Sequence, residues 1–235
     1  MQNPIDLERC RSFVNYQLQP AKWTKPAKAA SIIRAVTISR QAGCGAGIVA
    51  GKISKLLQEH SQNDECPWTI FDRNLMTKVL EDHHLSARIA KFLPEDRITE
   101  LEDITDELFG LRPASWTVIE QTSETILRLV ELGNVIIIGR GGNVITASLP
   151  NILHVRLVAP HEKRIEHAQT FYEMTQKEAR EFCVREDLGR ARYLKKYFKS
   201  DINDPLLYHL IINTGLVSYD EAAELIVKAA APKSD

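Results

Sequence analysis

Short apolar runs and helical periodicities alternate along the chain from about residue 32. Ile33 to Ser39 is rich in β-branched residues and runs into a glycine-rich turn, after which Ile48, Val49, Ile53, Leu56 and Leu57 recur at helical spacing. Trp68 to Asp72 predicts a second strand. Helical patterning then extends to about Gly133, through Leu75 and Val79, Ile98, Leu101, Ile104 and Leu108, and Ile119, Ile126, Leu129 and Val130. Gly133 is the expected stop. Val135 to Ile138 has no polar position, the pattern of a strand buried on both faces of a parallel sheet. Leu153 to Val158 predicts the next strand, and Pro160 opens the helix after it. Thr175 with Glu178, and Ser218 with Glu221, have capping-box spacing and predict helix starts, the first helix reaching about Lys199. Between these helices, Leu206 to Asn213 predicts the last strand. The alternation implies an α/β fold: a parallel sheet with helices on both faces.

Ahead of this pattern, Leu7, Cys10, Phe13, Val14 and Leu18 predict a short amphipathic helix, and Gln19 to Ser31 has the Pro and Lys content of a linker. The expected organisation is therefore an arm over residues 1–31 and one domain over 32–235.

Charge narrows the class. The 30 Lys and Arg against 31 Asp and Glu leave a net charge of −1, which argues against nucleic acid as a general partner. No apolar run approaches the roughly 18 residues of a membrane span. Asp6, Glu8 and Arg9, where a signal peptide would need an apolar stretch, and four scattered cysteines without a Cys-x-x-Cys pair predict a cytoplasmic protein with reduced thiols.

In a parallel sheet, ligands bind beyond the carboxyl ends of the strands. After the first strand comes Arg40-Gln41-Ala42-Gly43-Cys44-Gly45-Ala46-Gly47, a turn able to aim backbone N–H groups at an anion with a helix N-terminus behind it. A tight strand-to-helix turn accounts for the same glycines. The run lacks the Lys-[Ser/Thr] of a complete P-loop, since Gly51-Lys52 is followed by Ile53, and Ile48 breaks a dinucleotide fingerprint. After the second strand comes Asp72-Arg73. After the third, Arg140 stands among Gly139, Gly141 and Gly142, where a guanidinium can fork onto a phosphate. Asp187 and Arg190 share one face of a helix and can pair with each other. The adjacent His83 and His84 point to different helix faces and make a poor metal pair. Cys44 reads as a small residue in a tight loop.

Taken in order, Val36 to Arg40 with Gly43 and Gly45, Phe71-Asp72-Arg73, Gly139-Arg140-Gly141, His154 to Pro160 with Arg164, Asp187 with Arg190, Asp204-Pro205, Tyr208 and Ile212-Asn213-Thr214 resemble the cytidylate kinase-like family of P-loop nucleoside monophosphate kinases. The resemblance implies a five-stranded parallel core, a helical insertion and a lid, with nucleotides as partners, ATP as phosphate donor, Mg²⁺ as cofactor, and CMP or a similar monophosphate as acceptor. It implies ATP phosphates at Arg40, Gly43, Cys44, Gly45, Ala46 and Gly47, and the acceptor at Arg73, Arg140, Asp187 and Arg190. Arg164 and Arg140 would act on the transferred group. Ala46 falls where the family's lysine belongs and Gly47 where a Mg²⁺-binding Ser or Thr belongs, with Lys52 or Arg40 as substitutes. The alternative is a catalytically weak or inactive nucleotide- or phosphate-binding module of the same fold.

Overall fold

The computed structural model describes residues 33–60, 67–72 and 114–231. The arm, Arg73, the two adjacent histidines and the apolar positions from Leu75 to Leu108 lie outside these residues. Five strands, β1 (Ala35–Arg40), β2 (Thr69–Phe71), β3 (Val135–Ile138), β4 (Ile152–Val158) and β5 (Leu210–Asn213), form a single parallel sheet in the order 2-3-1-4-5. The helices are α1 (Ala46–His60), α2 (Ala114–Leu132), the short α3 (Gly142–Ile145), α4 (His161–Tyr172), α5 (Gln176–Phe198) and α6 (Tyr219–Ala230).

The period of two along each strand decides which helix it meets. Val36 and Ile38 of β1, Ile136 and Ile138 of β3, and Leu153, Val155 and Leu157 of β4 pack with Val49 and Ile53 of α1 and Ala222, Ala223 and Ile226 of α6. The intervening residues Ala35, Val135, Ile137 and Ile152 join Phe71 against Ile126, Leu129 and Val130 of α2. Both capping boxes form: Thr175 and Ser218 accept the backbone N–H of Glu178 and Glu221, and the glutamate carboxylates close back on the cap residues.

Apart from shifts of one or two residues at strand ends, two features differ from the sequence reading. The last strand begins at Leu210 rather than Leu206, because Asp204 caps a 3₁₀ turn over Pro205–Leu207 and leaves Leu206 90% exposed. Leu206 supplies the apolar signal of a strand residue without being buried. The short α3 was invisible to periodicity because one turn carries no repeat.

The face toward α2 also carries polar residues in register. Thr37 lies opposite His154 and Ser39 opposite Arg156. Thr37 Oγ1 is 2.8 Å from His154 Nδ1, and the His154 backbone N–H donates to His209 Nδ1 at 2.9 Å, with the two imidazole rings 5.0 Å apart. Burial and the nearby His209 hold His154 down to about 4. The unfolded chain therefore takes up a proton that the folded chain refuses. His154 contributes stability in full above its ordinary value of 6.5 and loses that contribution as pH falls toward 4. We expect His154→Gln, which keeps a polar partner for Thr37, to flatten the fall of the urea midpoint between those pH values. Equal slopes in the two proteins would assign the pH dependence to other groups.

Candidate functional site

The site is built at the carboxyl ends of β1, β3 and β4. Arg40 ends β1, and the turn after it reaches α1 through Gly43 and Gly45, with φ of 78° and 75°. Packing within the protein accounts for both glycines. A Cβ on Gly43 would sit 2.3 Å from the Arg164 carbonyl oxygen, and one on Gly45 would sit 2.4 Å from the Tyr219 ring. Gly47 is different, being exposed and facing open space. Ala46 is 9% exposed and belongs to the apolar cluster with Val49 and Ala50. Cys44 is buried, donates to the Gln41 carbonyl at 2.9 Å, and has its thiol pushed up to about 11 by burial, against the pull of Arg40 and Arg190. It is therefore a neutral packing residue of the loop. Lys52, one of the two candidate substitutes for the absent lysine, instead reaches Asp220 on α6 at 2.5 Å.

One carboxylate ties this turn to the helices behind it. Asp187 Oδ1 accepts the Ala42 backbone N–H at 2.6 Å, and Oδ2 accepts Arg164 Nη1 at the same distance. Arg164 is 7% exposed and fully engaged. Its Nε donates to the Ala159 carbonyl, its Nη1 also to the Ala42 carbonyl, and its Nη2 lies 3.2 Å from His161 Nδ1. Arg190 Nη1 lies 3.5 Å from Asp187, and Nη2 lies 3.2 Å from Glu186. In this arrangement Arg164 braces the loop.

Arg140 follows β3 and is 4% exposed. Its φ of 55° lies between those of Gly139 at 81° and Gly141 at 69°, so three successive residues occupy the left-handed region. For a non-glycine residue this is a strained backbone, of the kind found where a side chain must be aimed. Ser39, Arg40, Arg140, Asn143, Arg190 and Tyr193 are among the residues lining a pocket of about 20 Å³, room for about one water. Beside it, Arg40, Gln41, Arg156, Asp187, Arg190 and Asn203 are among those lining a larger cleft of about 210 Å³.

Of the sequence-derived residues, Arg40, Arg140, Asp187 and Arg190 thus converge. Residues 43 to 47 line neither cavity, and Arg73 lies outside the described residues. Arg156, Asn143 and Asn203 were missed as site residues. A charged residue between the apolar Val155 and Leu157 of a strand was the available signal for Arg156. Asn143 and Asn203 carry no local sequence signal.

Comparison with known proteins adds four findings. A family model described as the cytidylate kinase-like family matches residues 35–216. An uncharacterized protein from Eubacterium ventriosum superimposes with a TM-score of 0.62 at 18% identity, over 84% of this chain and 98% of that one, which shows a shared fold. Shikimate kinase from Bacteroides thetaiotaomicron is more distant, with a TM-score of 0.44 at 13% identity over 83% and 95% of the two chains. Among curated proteins, uronate isomerase from Corynebacterium glutamicum is 29% identical over 113 residues, a match spanning 48% of this chain and only 22% of the isomerase.

The Asp187 contacts generate a stability prediction. Asp187→Ala leaves the Arg164 guanidinium buried without its counter-charge and strands the Ala42 N–H. It should cost about 3 kcal/mol, the lower end for a broken buried pair, because Asp187 itself is 27% exposed. Asp187→Asn retains an acceptor and should cost less. Chemical denaturation compares them, and an Ala variant as stable as the wild type would show that the brace carries no load.

Proposed function

Since the chain belongs to the cytidylate kinase-like family, we propose that it transfers the γ-phosphate of ATP to CMP or a similar nucleoside monophosphate. The observation that carries this reading is the convergence of Arg40, Arg140 and Arg190 at the carboxyl ends of β1 and β3, one of them held in a strained backbone between glycines. In the transfer, an acceptor phosphate oxygen bonds to the γ-phosphorus as the bond to the β,γ-bridging oxygen breaks. Such a reaction requires alignment and positive charge around the phosphoryl oxygens more than covalent help from the protein.

In this reading Arg140 holds the acceptor phosphate, with Arg73 beside it, and Arg190 and Asp187 face the acceptor nucleotide. The turn from Arg40 through Gly43, Cys44, Gly45, Ala46 and Gly47 presents the N-terminus of α1 to the ATP phosphates. The exposed Gly47 and the open space around it fit that part. Arg164 acts at the transferred group only after releasing Asp187, and otherwise positions the loop. The pocket beside Arg140 must widen by movement of α5, which supplies Tyr193 and Leu194 to its wall.

Mg²⁺ does not fit the loop. Ala46 and Gly47 carry no side-chain oxygen, and among the described residues no group of three His, Cys, Asp or Glu side chains is arranged to hold a metal ion. The same loop favours a second reading, a nucleotide-binding module with weak or no transfer. Among the described residues no helix is long and apolar enough to cross a membrane, and a cytoplasmic setting is part of the proposal.

A coupled assay with ATP and a panel of nucleoside monophosphates separates the two readings. Monophosphate-dependent ADP formation supports transfer, whereas nucleotide binding without turnover supports the module. Under either reading, Arg140→Ala should weaken monophosphate binding by about 1.5–3 kcal/mol, the scale of a charge-assisted hydrogen bond. Calorimetry showing unchanged affinity in a folded variant would remove Arg140 from the site. Gly47→Ser restores a hydroxyl where there is space for one. If the missing oxygen limits transfer, turnover should rise at saturating Mg²⁺, and an unchanged rate would count against a deficient loop.

A further inference from the structure

Arg156 is 5% exposed in the middle of the sheet. Strand alternation puts it on the polar face with His154, and its guanidinium reaches the carboxyl end of β1. There Nη1 donates to Ser39 Oγ and Nη2 to Asn203 Oδ1, both at 3.0 Å. The Tyr208 ring centroid lies 5.6 Å from the guanidinium carbon. All three partners are neutral. They solvate a buried charge without cancelling it, and buried guanidinium groups are ordinarily paired with an acid.

Two neighbouring arginines follow that rule. Arg164 has Asp187, and Arg190 has Glu186 and Asp187. Asp187 is the acid among the residues lining the same cleft as Arg156, but its oxygens are taken by the Ala42 N–H, Arg164 and Arg190. Among the described residues, no carboxylate forms an ion pair with Arg156. A counter-charge that the described residues do not supply has a place to come from outside. The cleft in front of Arg156 holds about 210 Å³ and is walled also by Arg40 and Arg190. That is below the roughly 300–1,000 Å³ of sites that enclose a whole small molecule, and suits one charged group of a ligand.

The geometry points to an oxyanion seat centred on Arg156, which takes a phosphoryl group of the ligand. Two of the five guanidinium N–H groups are used by Ser39 and Asn203, which fix the plane of the fork and leave other donors for the anion. This extends the phosphotransfer reading to a residue that reading does not use, and places a second phosphoryl position beside the pocket of Arg140, with Arg40 and Arg190 common to both walls. The seat is a property of binding, so it can fail while ATP-dependent transfer is intact, and it can hold in a chain that transfers nothing.

The test is thermal unfolding of the full chain, titrated with inorganic phosphate against chloride at constant ionic strength. Wild-type protein should be stabilised saturably by phosphate and not by chloride. Arg156→Met should lose at least about tenfold in phosphate affinity, as expected for a charge-assisted contact, while unfolding no more easily than the wild type without phosphate. Asn203→Asp tests the charge without touching the arginine. Its carboxylate, placed where the Asn203 oxygen stands at 3.0 Å, supplies the missing partner internally. It should stabilise the ligand-free protein and weaken phosphate binding by at least about tenfold. Wild-type protein indifferent to phosphate, or phosphate affinity unchanged in Asn203→Asp, would overturn the proposal.

Discussion

The Asp187 carboxylate is the constraint on which the site depends. The turn after β1, helix α4 and helix α5 meet in a small apolar cluster of Ala42, Ile165, Ala168, Ala179 and Cys183, and a charged clamp fixes the turn beside it. Asp187 on α5 accepts the Ala42 N–H of the turn and the Arg164 guanidinium of α4, while Arg164 itself donates to the Ala42 carbonyl. Both backbone polar groups of Ala42 are thus held by a charged side chain. Beside this clamp position 43 admits only glycine, because its φ is 78° and the Arg164 carbonyl lies where a Cβ would be. The Arg164 side chain is nearly dry, at 8% exposed, while Asp187 is 27% exposed, so solvent screens their attraction only in part.

This explains why the fold was legible in the sequence and the site less so. The strands of the core are written in local patterns: four apolar residues from Val135 to Ile138, and the caps at Thr175 and Ser218, each depend on neighbours within a few positions. Arg140 was legible for the same reason, being an isolated charge between glycines directly after a buried strand. The roles of Arg164, Asp187 and Arg156 depend on partners far away in the chain. Asp187 meets a backbone amide 145 residues earlier, and Arg156 meets Ser39 across 117 residues. Sequence spacing placed Asp187 with Arg190 on one helix face, which the 3.5 Å contact bears out, but it could not indicate that a second arginine would hold the same carboxylate more closely. The glycine run carries two readings at once. Its composition is that of an anion cradle, while Gly43 and Gly45 are required by an internal carbonyl and an internal ring.

The arrangement of charge has a consequence for how a ligand would be accommodated. Arg164 and Arg190 are already matched by acids, so drawing either onto a phosphate means exchanging one anion for another, with the turn held by Asp187 free to shift when the exchange occurs. Arg156 is held only by neutral groups, and an anion reaching it displaces no internal carboxylate. The two kinds of arginine therefore differ in what they do with binding energy. In the proposed function, one would convert it into movement of the loop and helix, and the other would convert it directly into affinity. A site that seats a phosphoryl group first at the uncompensated arginine, and only then competes for the clamped ones, would couple arrival of the ligand to release of the turn that faces α1. Under the proposed function the pairing of the charges favours that order, and the Ala42 clamp is where binding would become rearrangement.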